Sequence, residues 1–132
     1  MDKRILLVEK AIDVSSLSDW VWSPASGATV QFLGRVRDIN EGKKVTHIEY
    51  SAHELLALKE MHKMVDEVFA QWNILKCALV HRVGMLSVGD VAVAILVSSL
   101  HRKEAFLSSQ YLIDTLKERV PIWKKEFYHA PS

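Results

Sequence analysis

The run Val91–Ser98 (VAVAILVS) carries no charge and is almost continuously apolar, which marks a buried strand. The stretch Ser98–Tyr128 that follows, SSLHRKEAFLSSQYLIDTLKERVPIWKKEFY, changes period. Ala105, Phe106, Leu112, Ile113 and Leu116 recur at the spacing of an amphipathic helix that seats one face on a core. Ser98 and Ser99 are candidate N-caps, Pro121 is a stop, and Ile122–Tyr128 reads as a short final strand. A histidine and a guanidinium (His101, Arg102) therefore stand at the helix entrance. Lys117 stands at its exit, with Lys124 and Lys125 just beyond.

Upstream, Arg4–Val8 reads as a strand and Val14–Trp22 as a short helix ended by Ser23-Pro24 and a turn at Gly27. The alternation of ATVQFLGRVRD, with Ala28, Val30 and Phe32 on one face, predicts a strand that Gly34 interrupts. A polar turn at Asn40–Lys44 leads to a returning strand, Val45–Ser51, so residues 28–51 read as a hairpin. From Glu54 to Trp72 the period becomes helical, with Leu58, Met61, Val65, Val68, Phe69 and Trp72 on one face. Ile74–Val83 reads as a strand and His81–Asp90 as a loop with two glycines. Strands interleaved with two long helices predict a single two-layer domain over residues 1–132, with a mixed, largely antiparallel sheet.

Composition enters mainly by exclusion. A chain of 132 residues, 49% hydrophobic and 25% charged, is long enough to bury a core and is not of disordered type. A net charge of +1 provides no global field for nucleic acid, so any anion site must come from local clustering. One cysteine, Cys77, excludes an intramolecular disulfide and fits a reducing compartment, so the expected location is cytoplasmic. The apolar run at the N-terminus is too short for a signal peptide, and no segment approaches a membrane span.

The candidate chemistry is cationic. His101-Arg102 at a helix N-terminus is either a solvated helix start or an anion site. Lys117 is either a partner of the helix dipole or a partly buried amine tuned by Arg119, Lys124 and Lys125. Arg35 and Arg37 flank Val36 and point to one face, as a solvated edge or as an anion-binding pair. His47, His53, His62, His81 and His129 show no metal-ligand spacing, so no metal is expected, and Cys77 reads as a small core residue. Trp20, Trp22 and Trp72 read as core or interface packing.

Four motifs occur in order: F-x-G-x-V-R at Phe32–Arg37, H-R-V-G-x-L-x-x-G-D at His81–Asp90, H-R-x-x-A-F at His101–Phe106, and K-x-x-x-P-x-W-K-K-E at Lys117–Glu126. Together they resemble the large, catalytic subunit of molybdopterin synthase, over nearly the whole chain from Gly27 to Glu126. The resemblance implies an α+β, hammerhead-type fold and an enzyme that converts cyclic pyranopterin monophosphate to molybdopterin without a metal or other cofactor. The two sulfurs would come from the thiocarboxylated Gly-Gly end of a small ubiquitin-like subunit. The implied assembly is a homodimer of large subunits within a heterotetramer, with no nucleic-acid or membrane partner.

Implied substrate contacts are Arg35, Val36, Arg37, His101, Arg102, Lys117, Lys124, Lys125 and Glu126, with Lys117, Lys124 and His101 as the catalytic set. Two features depart from the family pattern. The sequence ends at Ser132, where many members continue with a basic segment, and His53 stands where an aromatic residue is common. The rival readings are a family member that binds the small subunit or a phosphorylated ligand without turnover, and an unrelated phosphate-binding regulatory domain.

Overall fold

The computed structural model of the chain describes residues 2–130. Its elements are β1 (Lys3–Val8), α1 (Val14–Val21), β2 (Ala28–Arg35), β3 (Ile39–Asn40), β4 (Lys43–Ala52), α2 (Glu54–Gln71), β5 (Ile74–Arg82), β6 (Gly84–Ser87), β7 (Val91–Ser99), α3 (Arg102–Arg119) and β8 (Ile122–Tyr128). Four strands form one sheet in the order β1-β5-β7-β2, with β1 parallel to β5 and the other pairs antiparallel. β7 is buried on both faces because both faces are covered. Val93, Ile95 and Val97 join the core that includes Met61, Met64 and Val65 of α2 and Leu112 and Leu116 of α3. Ala94 and Leu96 face the other way, onto Leu17 and Val21 of α1. The short helix thus adds a partial third layer to the two expected.

A second sheet is built on β4, which pairs with β3, β6 and β8. Val36, Val45, Ile48, Leu86 and Ala92 form a small core beneath it. The predicted hairpin over residues 28–51 does not form. β2 pairs with β7 and β4 pairs with β8, so the two strands belong to different sheets. Alternation marks a strand without naming its partner, and the long apolar β7 takes β2 along its free edge. Only Ile39–Asn40 and Lys43–Lys44 pair as a local hairpin. The expected loop at His81–Asp90 likewise contains β6, which pairs Gly84–Ser87 with His47–Tyr50.

α3 buries Ala105, Ser108, Ser109, Leu112, Thr115 and Leu116, whereas Phe106 is 60% exposed and leaves the predicted stripe. Small hydroxyl residues complete the inner face because their oxygens bond back to the helix: Ser109 Oγ donates to the Ala105 carbonyl at 2.7 Å. Arg119 joins α3 to α2 through ion pairs with Glu60 and Glu67. Trp22 and Trp123 are exposed, so of the four tryptophans only Trp20 and Trp72 pack against the cores. Among the described residues no helix is long and apolar enough to cross a membrane.

Leu112 is fully buried where α3 meets the sheet. Leu112→Ala should cost about 2–5 kcal/mol of unfolding free energy, while Gln110→Ala on the exposed face should stay within about 0.5 kcal/mol. Urea denaturation distinguishes them, and equal losses would show that α3 is seated differently.

Candidate active site

A cleft of about 650 Å³ opens between the end of β2, the last turns of α3 and the start of β8. Phe32, Ile113, Leu116, Val120 and Ile122 give it an apolar wall. Arg35, Arg37, Lys117 and Lys124 give it four cations. These four come from three separate stretches of the chain, and each stretch is aimed by its own local device.

β2 breaks register against β7 between Gly34 and Arg35, so that Gly34 opposes Val93 and Arg35 opposes Val91. Such a bulge re-aims the side chains that follow it, and Arg35 and Arg37 both line the cleft while Val36 between them is buried in the small core. Gly34 is needed for this approach, since a Cβ there would lie 2.7 Å from Val93 Cγ1. Arg35 is steadied by a 2.8 Å hydrogen bond from Nη1 to the Gly89 carbonyl. Lys117 reaches the cleft from the last turn of α3, where a cation also complements the helix dipole. Lys124 arrives on β8, on the face that alternates with Lys125.

Glu126 shares that face and forms an ion pair with Lys124 at 3.4 Å. The carboxylate also accepts hydrogen bonds from Asn40 Nδ2 and, at 2.9 Å, from the Tyr128 hydroxyl. The Tyr128 hydrogen bond, with help from the Lys124 charge, holds the Glu126 carboxyl below the usual carboxylate range. Glu126 is therefore a fixed anion that positions Lys124 at the rim. Arg37 and Lys117, by contrast, make no hydrogen bond or ion pair with the described residues. Their positive charge is left uncompensated. Cations gathered on one small concavity concentrate positive potential and favour an anionic occupant.

Several expected residues lie elsewhere. Lys125 sits on the opposite face of β8, its ammonium 5.2 Å from the Phe127 ring centroid, and does not line the cleft. Lys117 is exposed rather than partly buried, and Arg119, expected beside it, turns toward α2. His101 is the N-cap residue of α3, makes no side-chain capping bond, and lies with Arg102 at the far end of the helix. Sixteen residues of helix at a rise of about 1.5 Å place His101 roughly 24 Å from Lys117. His53 caps α2, its Nδ1 accepting from the Leu56 N–H at 3.3 Å, while its own N–H holds the Pro121 carbonyl at 3.2 Å. Cys77 is wholly buried, and burial pushes its thiol up to about 12.

Sequence reasoning missed two cleft residues, Tyr50 and His81. His81 is 5% exposed and its ring stands edge-on to Tyr50 at 5.1 Å between centroids. Burial lowers its affinity for a proton, opposed in part by its hydrogen bond to the Arg82 carbonyl. The signal for it was its place directly after the buried apolar run Cys77–Val80, where a polar residue faces either a partner or a cavity.

The model of the family described as MoaE protein matches residues 7–119 of this chain. The chain belongs to the MoaE family. A relative from Staphylococcus carnosus (strain TM300), named molybdopterin synthase catalytic subunit, is 40% identical over 126 residues, covering 96% of this chain and 84% of its own. A relative of the same name from Thermoplasma volcanium is 41% identical over 120 residues, covering 91% and 88%. The solved structure of molybdopterin synthase from Staphylococcus aureus superposes with a TM-score of 0.88 at 36% identity, over 95% of this chain and 91% of that one. The MoaE protein from Burkholderia ambifaria gives 0.84 at 29% identity, over 96% and 88%.

If the four cations hold a phosphate, the affinity of a small phosphate ester should fall with salt more steeply for the wild type than for Arg37→Ala or Lys124→Ala. Titration calorimetry across a salt series reads the slopes. Equal slopes would return both residues to the solvated surface.

Proposed function

We propose that this chain is a molybdopterin synthase catalytic subunit, which converts cyclic pyranopterin monophosphate to molybdopterin with sulfur from a thiocarboxylated, ubiquitin-like carrier. The observation that supports it best is the convergence of Arg35, Arg37, Lys117 and Lys124 on one cleft with an apolar wall. A substrate that is part cyclic phosphate and part flat heterocycle presents the same two halves. Arg37 and Lys124 hold the phosphate and stabilise charge as its ring opens. The apolar wall receives the heterocycle. The carrier's thiocarboxylate sulfur is itself the nucleophile, so this route calls on no metal or other cofactor, and it takes place in the reducing cytoplasm.

As that sulfur bonds to a substrate carbon, the carbon–oxygen bond it replaces breaks, the oxygen leaves with the electron pair, and an acyl thioester joins carrier and substrate. Water must then cleave it before the next sulfur can be delivered. Lys117, with no partner in the described chain, lies free to engage the incoming acyl group or to move protons there. Lys117→Ala should abolish dithiolene formation in an assay with thiocarboxylated carrier and pyranopterin precursor, with fold and carrier binding intact. Lys117→Arg should fail as well, because a guanidinium keeps its proton. Near-normal turnover in either variant would remove Lys117 from the mechanism, and carrier binding without product in the wild type would favour the non-catalytic reading.

α3 runs unbroken from Arg102 to Arg119, so His101 and Arg102 cannot reach the Lys117 cleft of their own chain. A two-fold dimer that brings His101 and Arg102 of one protomer to Lys117 and Lys124 of its partner reconciles all four motifs with one substrate. His101 would then stand at the shared site as a proton carrier, and one carrier protein would dock at each end in a heterotetramer. Mixing inactive His101→Ala and Lys117→Ala chains should restore activity, since one site of each mixed dimer carries neither change. Confirmed subunit exchange with no returning activity would defeat the shared site.

A further inference from the structure

The proposed route needs a proton acceptor for the water that cleaves the acyl thioester, and the cations of the cleft are poor candidates. Guanidiniums do not give up a proton, and an amine must lose one before it can accept one. His81 is different in kind. Its Nδ1 lies 2.7 Å from the Arg82 carbonyl oxygen, which can only accept, so the ring proton is on Nδ1 and Nε2 presents a lone pair. Nε2 has no hydrogen-bond partner among the described residues and is not sealed from solvent, and the ring lines the cleft.

The groups that share the cleft with it are Tyr50 from β4, Arg35 and Arg37 from β2 and its continuation, Lys117 from α3, and Lys124 from β8. Behind Lys124 stands Glu126, and on the strand itself Arg82 is held by Asp90 at 3.2 Å. Four of the five cleft-lining groups are cations, which oppose a fifth positive charge. Burial acts in the same direction and holds the ring neutral.

We propose that His81 is a catalytic residue of this cleft, its Nε2 taking the proton from the water that cleaves the acyl thioester after each sulfur transfer. This rests on the function proposed above. In the step, a bond forms between the water oxygen and the acyl carbon, and the acyl carbon–sulfur bond breaks. Sulfur leaves with the electron pair as a thiolate on the substrate, and the carrier terminus is released as a carboxylic acid. The water proton passes to Nε2, and the imidazolium returns it to the thiolate or to solvent.

Two substitutions separate base from scaffold. His81→Asn keeps an amide donor for the Arg82 carbonyl and removes Nε2. His81→Gln places an amide where Nε2 was, able to accept a hydrogen bond but not a proton at neutral pH. Single-turnover assays with the carrier and precursor should show both variants slowed by about 100-fold or more, with the carrier–substrate thioester accumulating and precursor affinity retained. The wild-type rate should fall as pH drops through the His81 titration, below the ordinary histidine value of about 6.5, and this acid limb should vanish in His81→Gln.

A smaller loss, or a limb that persists in His81→Gln, would overturn the assignment. So would a wild-type rate that shows no acid limb over the pH range in which the protein stays folded, a result that requires no variant to fold. A wild type that makes no dithiolene at all would instead overturn the proposed function itself.

Discussion

The structure depends on β7 being paired along both edges and covered on both faces. Its residues from Ala92 to Ser99 are buried, and its backbone is bonded to β5 on one side and to β2 on the other. An apolar strand of this kind is stable only if every backbone polar group finds a partner and every side chain a neighbour. β2 and β5 meet the first demand. α1, α2 and α3 meet the second.

The cleft follows from that arrangement. β7 feeds directly into α3, which must run back over the sheet to bury Leu112 and Leu116, and this carries Lys117 to the end of β2. The same end of β2 is where the ladder to β7 slips by one residue and the chain leaves for the second sheet. Arg35, Arg37, Lys117 and Lys124 therefore stand at a seam between two sheets, where elements end and side chains are not consumed by packing. A rigid frame holds four like charges within one concavity, and an anionic ligand relieves their repulsion. Glu126 offsets part of that charge at Lys124, while Arg37 and Lys117 stay without a partner among the described residues.

Burial separates the roles of the histidines. His53 is spent on a helix cap and His101 stands exposed at the start of α3. His81 alone is both buried and open to the cleft, with one nitrogen committed to the backbone. A neutral imidazole among cations is chemically distinct from all of them, and in the proposed route that contrast gives the cleft a proton acceptor beside groups that would stabilise anions.

The apolar run of β7, the helical periods of α2 and α3 and the stop at Pro121 were legible in the chain because they are local: they depend on residues within a few positions of one another. The four ordered motifs named the family and most of the cleft's cations for the same reason. Which strand pairs with which was not legible, since alternation specifies a face but not a neighbour, and so the expected hairpin over 28–51 gave way to β2–β7 and β4–β8. Phe106 left the predicted stripe because Ser108, Ser109 and Thr115 lie on the buried side of α3, an outcome set by how the helix is rotated on the sheet. The separation of Lys124 from Lys125, and the entry of Tyr50 and His81 into the cleft, were decided by the second sheet. Residue type could be read from the sequence, but which face each side chain meets is a property of the packed chain.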